Sequence, residues 1–528
     1  MIQAWSVDDV RAAEERAMAQ LPDGELMQRA ATGLAQVVAA RLPDDTSTQP
    51  LVVALVGGGN NGGDALWALA HLADLVGEPL DLVAVLTSEH RHEEGLRAAR
   101  RAKVEIVDAT RGGSKGGSKA RRRSKALDHA VEALAVADVV LDGVLGIGGR
   151  PGLPDLVTEL LEAIGADAHV IAVDVPSGVD PMGEIVGGAG VFADETVTFG
   201  CAKPVHVLGT ASRCGMLTVV DIGLDLGRDH ASASAARTAP AAERVDHDDV
   251  AALWPVPGPE DDKYSRGVVG VVAGGEVYTG APLLSVTAAV CAGAGMVRYV
   301  GPPGPTQLVR AEVPEAVHGT GRVQAWVIGP GLDAHPHSWD QLGLAQVEAA
   351  RRALDSELPC LVDAGGLDLL DGPRTHAGAR TLLTPHAGEL ARLLARLDPE
   401  ASGLDRERVV VEPLRWARRA AELLRATVLL KGSTTYVVPP PASGLAVRAQ
   451  ADAPAWAGTA GSGDVLAGLA GTLLAAGLDP VDAGSLAALV HGVAAHDANP
   501  GGPVRALEIA QQVPRTVARL LARAAEVG

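Results

Sequence analysis

The stretch GSGDVLAGLAGTLLAAG, residues 461–477, predicts a tight glycine turn followed by a buried helix that ends at Gly477. Backbone N–H groups at the start of such a helix favour a bound phosphate. The carboxylate of Asp464 would lie beside that phosphate and could take the proton from an attacking hydroxyl. The stretch therefore predicts phosphoryl transfer, with simple helix capping by Asp464 as the alternative.

Two other segments of the same half follow predicted strands. KGSTT, residues 431–435, offers an ammonium group, hydroxyls and free amides that suit nucleotide phosphates, although an ordinary β-turn would also fit. TPHAGE, residues 384–389, opens a helix with Thr384 as the expected cap and with His386 exposed to a substrate. A Walker motif and the protein-kinase motifs are missing from the sequence, so the turn before Asp464 carries the phosphoryl-transfer hypothesis.

Strand-like and helix-like segments alternate along the whole chain, which is typical of mostly parallel sheets covered by helices on both faces. Strands are expected at residues 51–56, 82–86, 104–107, 138–141, 169–173, 197–199, 268–273, 325–328, 360–362, 381–383 and 427–430. Helices are expected at residues 65–76, 281–294, 342–356, 406–425, 464–476 and 481–497.

A glycine-rich turn also follows the first predicted strand of the N-terminal half. GGGNNG, residues 57–62, satisfies the dinucleotide pattern GxGxxG, but the next strand ends without the acid that would bind a ribose, which disfavours a dehydrogenase. NNGGD, residues 60–64, offers oxygens and N–H donors for a phosphate and a monovalent cation, with a ligand-free polar loop as the alternative. At one edge of a parallel sheet, residues 60–64 should lie close to Asp142, the glycine loop 146–152 and DVPSG at 174–178.

The chain of 528 residues is long enough for two domains. Residues 226–245 are rich in Ala and Ser without a periodic pattern, so we predict domains at 1–225 and 246–528 with a linker between them. Residues 111–125 consist almost entirely of Gly, Ser, Lys and Arg. They predict a flexible surface insertion, with a patch for an anionic partner as the alternative.

The net charge is −20, from 45 basic and 65 acidic residues, which argues against nucleic acid as a partner. The four cysteines include no C-x-x-C pair, so neither a zinc site nor a disulfide framework is expected. The acidic, helical N-terminus shows no apolar signal segment, and the longest apolar stretch is too short to span a bilayer. We therefore expect a cytoplasmic protein without membrane or nucleic-acid partners.

The C-terminal half resembles the ADP/ATP-dependent NAD(P)H-hydrate dehydratases, which have a ribokinase-like fold. Five ordered motifs carry the resemblance: YTGAP (278–282), IGPGL (328–332), TPHAGEL (384–390), KGSTT (431–435) and GSGDVLAGLAG (461–471). The family phosphorylates the hydroxyl of hydrated NADH or NADPH and then eliminates phosphate. The family's DAD motif reads Asp363-Ala364-Gly365 here, with one carboxylate missing. The resemblance implies hydrate contacts from Ala281, Gly331, His386 and Asp464, and nucleotide contacts from Lys431, Gly432, Ser433, Thr434, Thr435 and Gly463.

The N-terminal half resembles the NAD(P)H-hydrate epimerase domain through NNGGD, Asp142 with its glycine loop, DVPSG and TFGCAKP (198–204). Two departures are visible: Ala65 replaces the usual glycine after NNGGD, and the glycine loop reads GIGG rather than GTG. The resemblance implies Asp174 as the acid/base residue and potassium coordination by Asn61, Asp142 and Ser177. It implies hydrate contacts from Asn60, Asn61, Gly62, Gly63, Asp64, Gly146, Ile147, Gly148, Gly149, Arg150, Pro151, Gly152 and Asp174.

Together the motifs predict an α/β protein, with an N-terminal Rossmann-like three-layer domain and a C-terminal ribokinase-like three-layer domain. The expected activity is bifunctional: epimerisation of R and S hydrated NAD(P)H, and dehydration of the S epimer with ADP or ATP. Potassium and magnesium are the expected ions, and a homo-oligomer is expected. The alternatives are a thiazole- or pyridoxal-type kinase fused to a ligand-binding domain, and an N-terminal scaffold that binds RNA.

Overall fold

The computed structural model describes residues 1–43, 49–77, 79–110, 125–209, 211–226, 239–374 and 380–527. The chain forms two compact units: an N-terminal unit of residues 3–241, and a C-terminal unit of residues 242–528 with Met1 and Ile2. The basic insertion predicted at 111–125 lies outside the described residues except for Lys125, as do residues 227–238 of the predicted linker. The four cysteines are free thiols. Within the described ranges, no helix is both long and apolar enough to cross a membrane.

The strands lie close to the positions that the apolar runs predict. The N-terminal strands are β1 (Ile2–Ala4), β2 (Leu51–Val56), β3 (Asp81–Leu86), β4 (Glu105–Asp108), β5 (Val139–Gly143), β6 (His169–Val173), β7 (Glu195–Phe199) and β8 (Met216–Val220). They are followed by β9 (Ala242–Arg244), β10 (Val268–Val272), β11 (Met296–Val300), β12 (Val317–His318), β13 (Ala325–Ile328), β14 (Cys360–Val362), β15 (Thr381–Leu383), β16 (Thr427–Leu430), β17 (Thr435–Val438) and β18 (Val447–Gln450).

The helices alternate with the strands in both units. The N-terminal helices are α1 (Val7–Met18), α2 (Glu25–Ala39), α3 (Asn60–Val76), α4 (Glu93–Arg101), α5 (Lys125–Ala135), α6 (Asp155–Leu161) and α7 (Pro204–Val207). The C-terminal helices are α8 (Val250–Leu253), α9 (Gly280–Cys291), α10 (Pro303–Glu312), α11 (Gln341–Leu354), α12 (Ala387–Leu397), α13 (Arg406–Val411), α14 (Pro413–Leu424), α15 (Ser462–Ala475), α16 (Pro480–Ala498) and α17 (Ala506–Val527).

A seven-stranded sheet in the order β4-β3-β2-β5-β6-β7-β8 forms the centre of the N-terminal unit, and all of its pairings are parallel. Val52 and Ala54 of β2 pack beneath α2, α3 and α4, whereas Val53 and Leu55 pack beneath α5 and α6 on the other face. This burial of both faces confirms the predicted three-layer arrangement. The strand order reverses between β2 and β5, and a ligand is expected at the carboxyl ends of strands beside such a reversal.

The sheet of the C-terminal unit contains the strand order β9-β18-β17-β16-β15-β14-β13-β10-β11-β12. Pairings from β12 to β16 are parallel, and β17 runs antiparallel to both β16 and β18. Val269 and Val271 pack with α9, α15 and α16, whereas Val268 and Val272 are buried on the opposite face. Both faces of this sheet are therefore covered, as predicted.

Many other predicted ends shift by one to three residues, and three differences are larger or divide a segment. Helix α3 begins at Asn60, so NNGGD forms its first turn rather than a loop. A Cβ atom at Gly62 would lie 2.2 Å from the carbonyl oxygen of Gly57, so the glycine lets α3 approach the end of β2. The helix expected at 406–425 is divided before Pro413, which lacks an N–H group and disfavours a helical conformation at the preceding residue. Residues 242–244, expected in the linker, form β9, and the unit boundary falls just before them.

Candidate active sites

The glycine turn of the C-terminal unit leaves polar groups free at the start of α15. Gly461 is the N-cap, adopts the left-handed conformation (φ 90°) and packs so closely that a Cβ atom would lie 2.4 Å from Leu284 Cδ1. Asp464 is the third helical residue, so the structure does not support the capping alternative. Within the described part of the chain, the N–H groups of Gly463 and Asp464 have no backbone acceptor, and the Asp464 carboxylate makes no hydrogen bond.

Charged groups from three other elements surround Asp464. The ammonium group of Lys431 lies 2.7 Å from Asp363 Oδ1 and 3.8 Å from Glu389 Oε2. It also lies 3.2 Å from the position that a Cβ atom would take at Gly463. Burial, reinforced by the charges of Asp363 and Glu389 and opposed by Lys431, raises the pKa of Asp464 to about 7. The ends of β14 and β16 and the starts of α12 and α15 thus converge on one charged centre.

His386 caps α12, a role that the sequence led us to expect of Thr384. Its Nδ1 atom accepts the N–H groups of Gly388 and Glu389 at 3.1 and 3.2 Å, so the ring proton belongs on Nε2, which lies 3.4 Å from Glu389 Oε1. Burial and nearby cations lower the pKa of His386, which leaves the ring neutral at pH 7. Thr384 instead donates to Asp363 Oδ1 at 2.9 Å. The His386 side chain is about half exposed, so a substrate can reach Nε2 and compete with Glu389 for its proton.

The other predicted hydrate contacts lie at neighbouring strand ends. Gly331 has a φ of 64°, and a Cβ atom there would lie 2.7 Å from Cβ of Ala281 and 3.0 Å from Cβ of Tyr278. Ser285 of the same helix as Ala281 donates to the carbonyl oxygen of Asp464 at 3.0 Å. Helix α9 thus connects the Gly331 turn to the start of α15.

Only part of the predicted nucleotide-binding segment, residues 431–435, lies near the charged groups around Asp464. Lys431 lies beside Gly463, whereas Thr435 is the first residue of β17 and pairs with Gln450 of β18. Gly432 lies in the tight connection between β16 and β17, where a Cβ atom would lie 3.0 Å from the carbonyl oxygen of Thr434. The segment therefore forms a hairpin turn whose first residue reaches the charged centre.

The missing carboxylate of the DAD motif has a steric explanation. A Cβ atom at Gly365 would lie 1.9 Å from the carbonyl oxygen of Leu332, so no larger side chain fits without movement of the backbone. Asp363 keeps a polar role, because its Oδ1 atom accepts hydrogen bonds from Thr384 and Lys431.

Replacing Gly365 with Ala should therefore destabilise the C-terminal unit by about 1–3 kcal/mol, the usual range for overpacking a close contact. Thermal unfolding of the full chain measures the effect. Gly372→Ala is the matched control, because nothing lies within 4 Å of its Cβ position. An equal melting temperature for the two variants would contradict the steric explanation.

In the N-terminal unit, the three residues predicted to coordinate potassium lie at adjoining strand and helix ends. Asp142 is fully buried and accepts from the hydroxyl of Ser177 at 2.6 Å and from its N–H group at 2.7 Å. The Asn61 side chain lies 3.2 Å from the Cβ position of Gly146, and its buried Nδ2 atom has no partner among the described residues. Burial raises the pKa of Asp142 to about 6.

Asp174 forms a buried ion pair in the turn after β6. Its Oδ1 atom accepts from Nζ of Lys203 at 2.6 Å and from the hydroxyl of Thr198 at 2.8 Å. Lys203 is 1% exposed and also donates to the carbonyl oxygen of Phe199. Burial would raise the pKa of Asp174, but Lys203 outweighs it and lowers the pKa. Lys203 belongs to the TFGCAKP motif, from which no role was predicted for it.

The two departures from the epimerase pattern are accommodated locally. Ala65 faces Gly143, where a Cβ atom would lie only 2.7 Å from the Ala65 methyl group, so the glycine at 143 leaves room for the alanine. Ile147 of the GIGG loop packs against two apolar clusters, which include Val175 and Val10. The apolar side chain therefore anchors the loop, while Gly148 stays exposed.

Two family models match the chain. The model described as NAD(P)H-hydrate dehydratase matches residues 269–515, and that described as YjeF-related protein N-terminus matches residues 23–205. The bifunctional NAD(P)H-hydrate repair enzyme of Mycobacterium tuberculosis is 42% identical over 485 residues, covering 90% of this chain and 89% of that protein. The protein of the same description from Mycobacterium leprae is 40% identical over 533 residues, covering 98% and 99%.

Among solved structures, an ADP/ATP-dependent NAD(P)H-hydrate dehydratase from Bacillus subtilis is 24% identical, with a TM-score of 0.45. It aligns with 52% of this chain and 97% of its own. The two family models and the two mycobacterial relatives, which extend over both units, confirm the predicted family. The chain belongs to the family of bifunctional NAD(P)H-hydrate repair enzymes.

Proposed function

We propose that the chain repairs hydrated NADH and NADPH through two activities. The N-terminal unit interconverts the R and S epimers of the hydrate. The C-terminal unit phosphorylates the hydroxyl of the S epimer with ADP or ATP and eliminates phosphate to leave the reduced cofactor. The main support is the partly buried carboxylate of Asp464, which has no hydrogen bond from the described residues and lies beside Lys431 and the free N–H group of Gly463.

Each group at the C-terminal centre has a part in this chemistry. Asp464 accepts the hydroxyl proton as the oxygen attacks the terminal phosphoryl group, and its pKa of about 7 suits a base that works near neutrality. The N–H groups of Gly463 and Asp464 stabilise the charge on that phosphoryl group. The ring nitrogen of the hydrate then expels phosphate, and loss of a proton from the adjacent carbon restores the double bond.

Magnesium fits the oxygen donors near Lys431. This ion is usually held by one or two carboxylates together with substrate phosphates. Asp363 and Glu389 both lie within 4 Å of the Lys431 ammonium group and would hold the ion beside the nucleotide. The ion would neutralise the phosphate charge. Neither carboxylate was assigned such a role from the sequence.

The N-terminal chemistry needs a base at the hydroxyl-bearing carbon of the hydrate. Asp174 supplies it, because the ion pair with Lys203 keeps its carboxylate charged at neutral pH. The first turn of α3, residues 60–64, and the loop 146–152 form the rest of the proposed hydrate site at the same edge of the sheet.

Potassium fits Asn61, Asp142 and Ser177, which supply an amide, a carboxylate and a hydroxyl. Asp142 is fully buried without a cationic partner among the described residues, and Asn61 has an unpaired buried amide atom. A bound cation would compensate the buried charge and orient the amide oxygen towards it. The ion would hold the turn after β5 next to α3.

We further propose that the protein is cytoplasmic and acts as a homo-oligomer.

A mixture of hydrate epimers tests the whole proposal. With ADP or ATP and magnesium, the chain should restore the absorbance of the reduced nicotinamide completely and release one phosphate for each molecule repaired. Replacing potassium with sodium salts should slow the conversion of the R epimer and spare the S epimer. A stable phosphorylated product without phosphate release would instead identify a small-molecule kinase.

A further inference from the structure

Helix α1 lies against the N-terminal site, a position that no motif predicted. Its Val10 packs in one cluster with Trp5 and Cys201, and Ile147 of the glycine loop packs against that cluster. The guanidinium group of Arg11 lies 3.5 Å from the Cβ position of Gly148 in the same loop. One face of α1 therefore contacts both the glycine loop and the segment that carries Lys203.

Glu14 lies one helical turn after Val10, so its side chain leaves α1 on the same face. The side chain is partly buried, and the groups that interact electrostatically with it are Lys203, Asp174 and Arg11. The charge of Glu14 also contributes to the raised pKa values of Asp64 and Cys201.

We propose that Glu14 is a catalytic residue of the epimerisation, the proton donor that works opposite the acceptor Asp174. The inference rests on the proposed N-terminal function and names a second residue for it. Epimerisation through ring opening needs one proton acceptor and one proton donor. Asp174 takes the hydroxyl proton, the carbonyl bond forms, the bond between carbon and ring nitrogen breaks, and Glu14 protonates the nitrogen that receives the electron pair.

Reversal of these steps after rotation about the adjacent bond closes the ring on the other face. Glu14 then takes back its proton and Asp174 returns its own, so both residues end in their starting states. A route through loss and return of water also needs a proton donor and a proton acceptor. One group must protonate the departing hydroxyl, and another must accept a proton from the returning water. The division of roles holds for either route.

The surroundings of the carboxylates distinguish their roles. Lys203 holds Asp174 ionised, as an acceptor requires. Burial and the charge of Asp174 raise the pKa of Glu14, while Lys203 and Arg11 oppose them, so protonated Glu14 is available at higher pH than for a free side chain. Asp64 is only 9% exposed, whereas Glu14 is partly exposed, so Glu14 is the more accessible of the two carboxyl groups to a bound substrate.

Glu14→Gln tests the inference, with Glu15→Gln on the exposed face of α1 as the matched control. We expect kcat for epimerisation to fall by about 100-fold with little change in KM, in line with the loss of a general acid. The Glu15→Gln variant should keep the wild-type rate. The dehydration of pure S hydrate should be unchanged in both variants, because it takes place in the other unit.

The pH profile adds a readout that a structural role would not change. Wild-type epimerisation should decline as the pH rises through the pKa of Glu14, and Glu14→Asp should keep measurable activity with a shifted decline. Equal kcat for the Glu14→Gln and Glu15→Gln variants, or a change in KM alone, overturns the inference and leaves the proposed function intact. A wild-type chain that does not accelerate epimerisation at all would instead refute the N-terminal function itself.

Discussion

Replacement of Asp464 with Asn is expected to lower the rate of S-hydrate dehydration by about 1000-fold or more while epimerisation continues at the wild-type rate. The amide keeps the size of the side chain but cannot accept the hydroxyl proton, and loss of general base catalysis commonly costs a factor of this order. The measurement is the return of reduced-nicotinamide absorbance from pure S hydrate. Asp371→Asn, which alters an exposed carboxylate, is the control.

The pH dependence of the wild-type reaction should show the same base. The Asp464 carboxylate must be ionised to act, and its pKa lies near 7, so kcat/KM should rise as the pH increases through about 7 and then level off. The Asp464→Asn variant should lose this rise from its residual activity. Dehydration that proceeds at a normal rate in the variant, or a flat wild-type profile between about pH 5 and pH 9, would contradict the assignment.

The same substitution should stabilise the protein. The pKa of Asp464 is raised in the folded state, so ionisation above about pH 4 costs stability, and the cost is complete above about pH 7. The Asn variant avoids it and should gain about 1–3 kcal/mol at about pH 8, with the gain vanishing towards about pH 4. Thermal unfolding at both pH values measures the difference. Such a gain together with lost activity is the pattern expected of a strained active-site carboxylate.

Replacement of Lys203 with Met should abolish epimerisation and destabilise the N-terminal unit. The ammonium group is 1% exposed, and it neutralises a buried carboxylate while donating to Thr198 and Phe199. Removing one partner of a buried ion pair commonly costs about 3–5 kcal/mol, because the other charge is left uncompensated. The rate of R-to-S conversion and the unfolding of the N-terminal unit are the two measurements.

A double variant separates the two consequences. In Lys203→Met, the loss of stability should grow as the pH rises above about 4, because the unpaired Asp174 is neutral only at acidic pH. Adding Asp174→Asn removes the buried charge, so the double variant should regain much of the stability and none of the activity. Strong epimerisation by the Lys203→Met variant would contradict the role of the ion pair, and equal stability of the single and double variants would contradict its energetics.

Local sequence accounts for most of the elements that bear the sites. The predicted bounds of β2, β6, β13, β14, β15 and β16 agree with the structure, because each is a short apolar run that a buried parallel strand requires. The glycine turn before α15 was equally clear, since only glycine favours the left-handed conformation found at Gly461. The short strands β17 and β18 were not predicted, because β17 overlaps the predicted nucleotide-binding segment at Thr435, and polar Arg448 and Gln450 interrupt the apolar residues of β18.

The sequence by itself determined the two α/β folds and the strand ends that carry the motifs, and it predicted Asp464 and Asp174 as reacting groups. Only the tertiary structure decided which charges surround them. Lys431 pairs with Asp363 across 68 residues, and Lys203 pairs with Asp174 across 29 residues. A side chain's charge state depends on its burial and on neighbours brought close by folding, so a local motif cannot show that the pKa of Asp464 is raised to about 7 or that Lys203 lowers the pKa of Asp174.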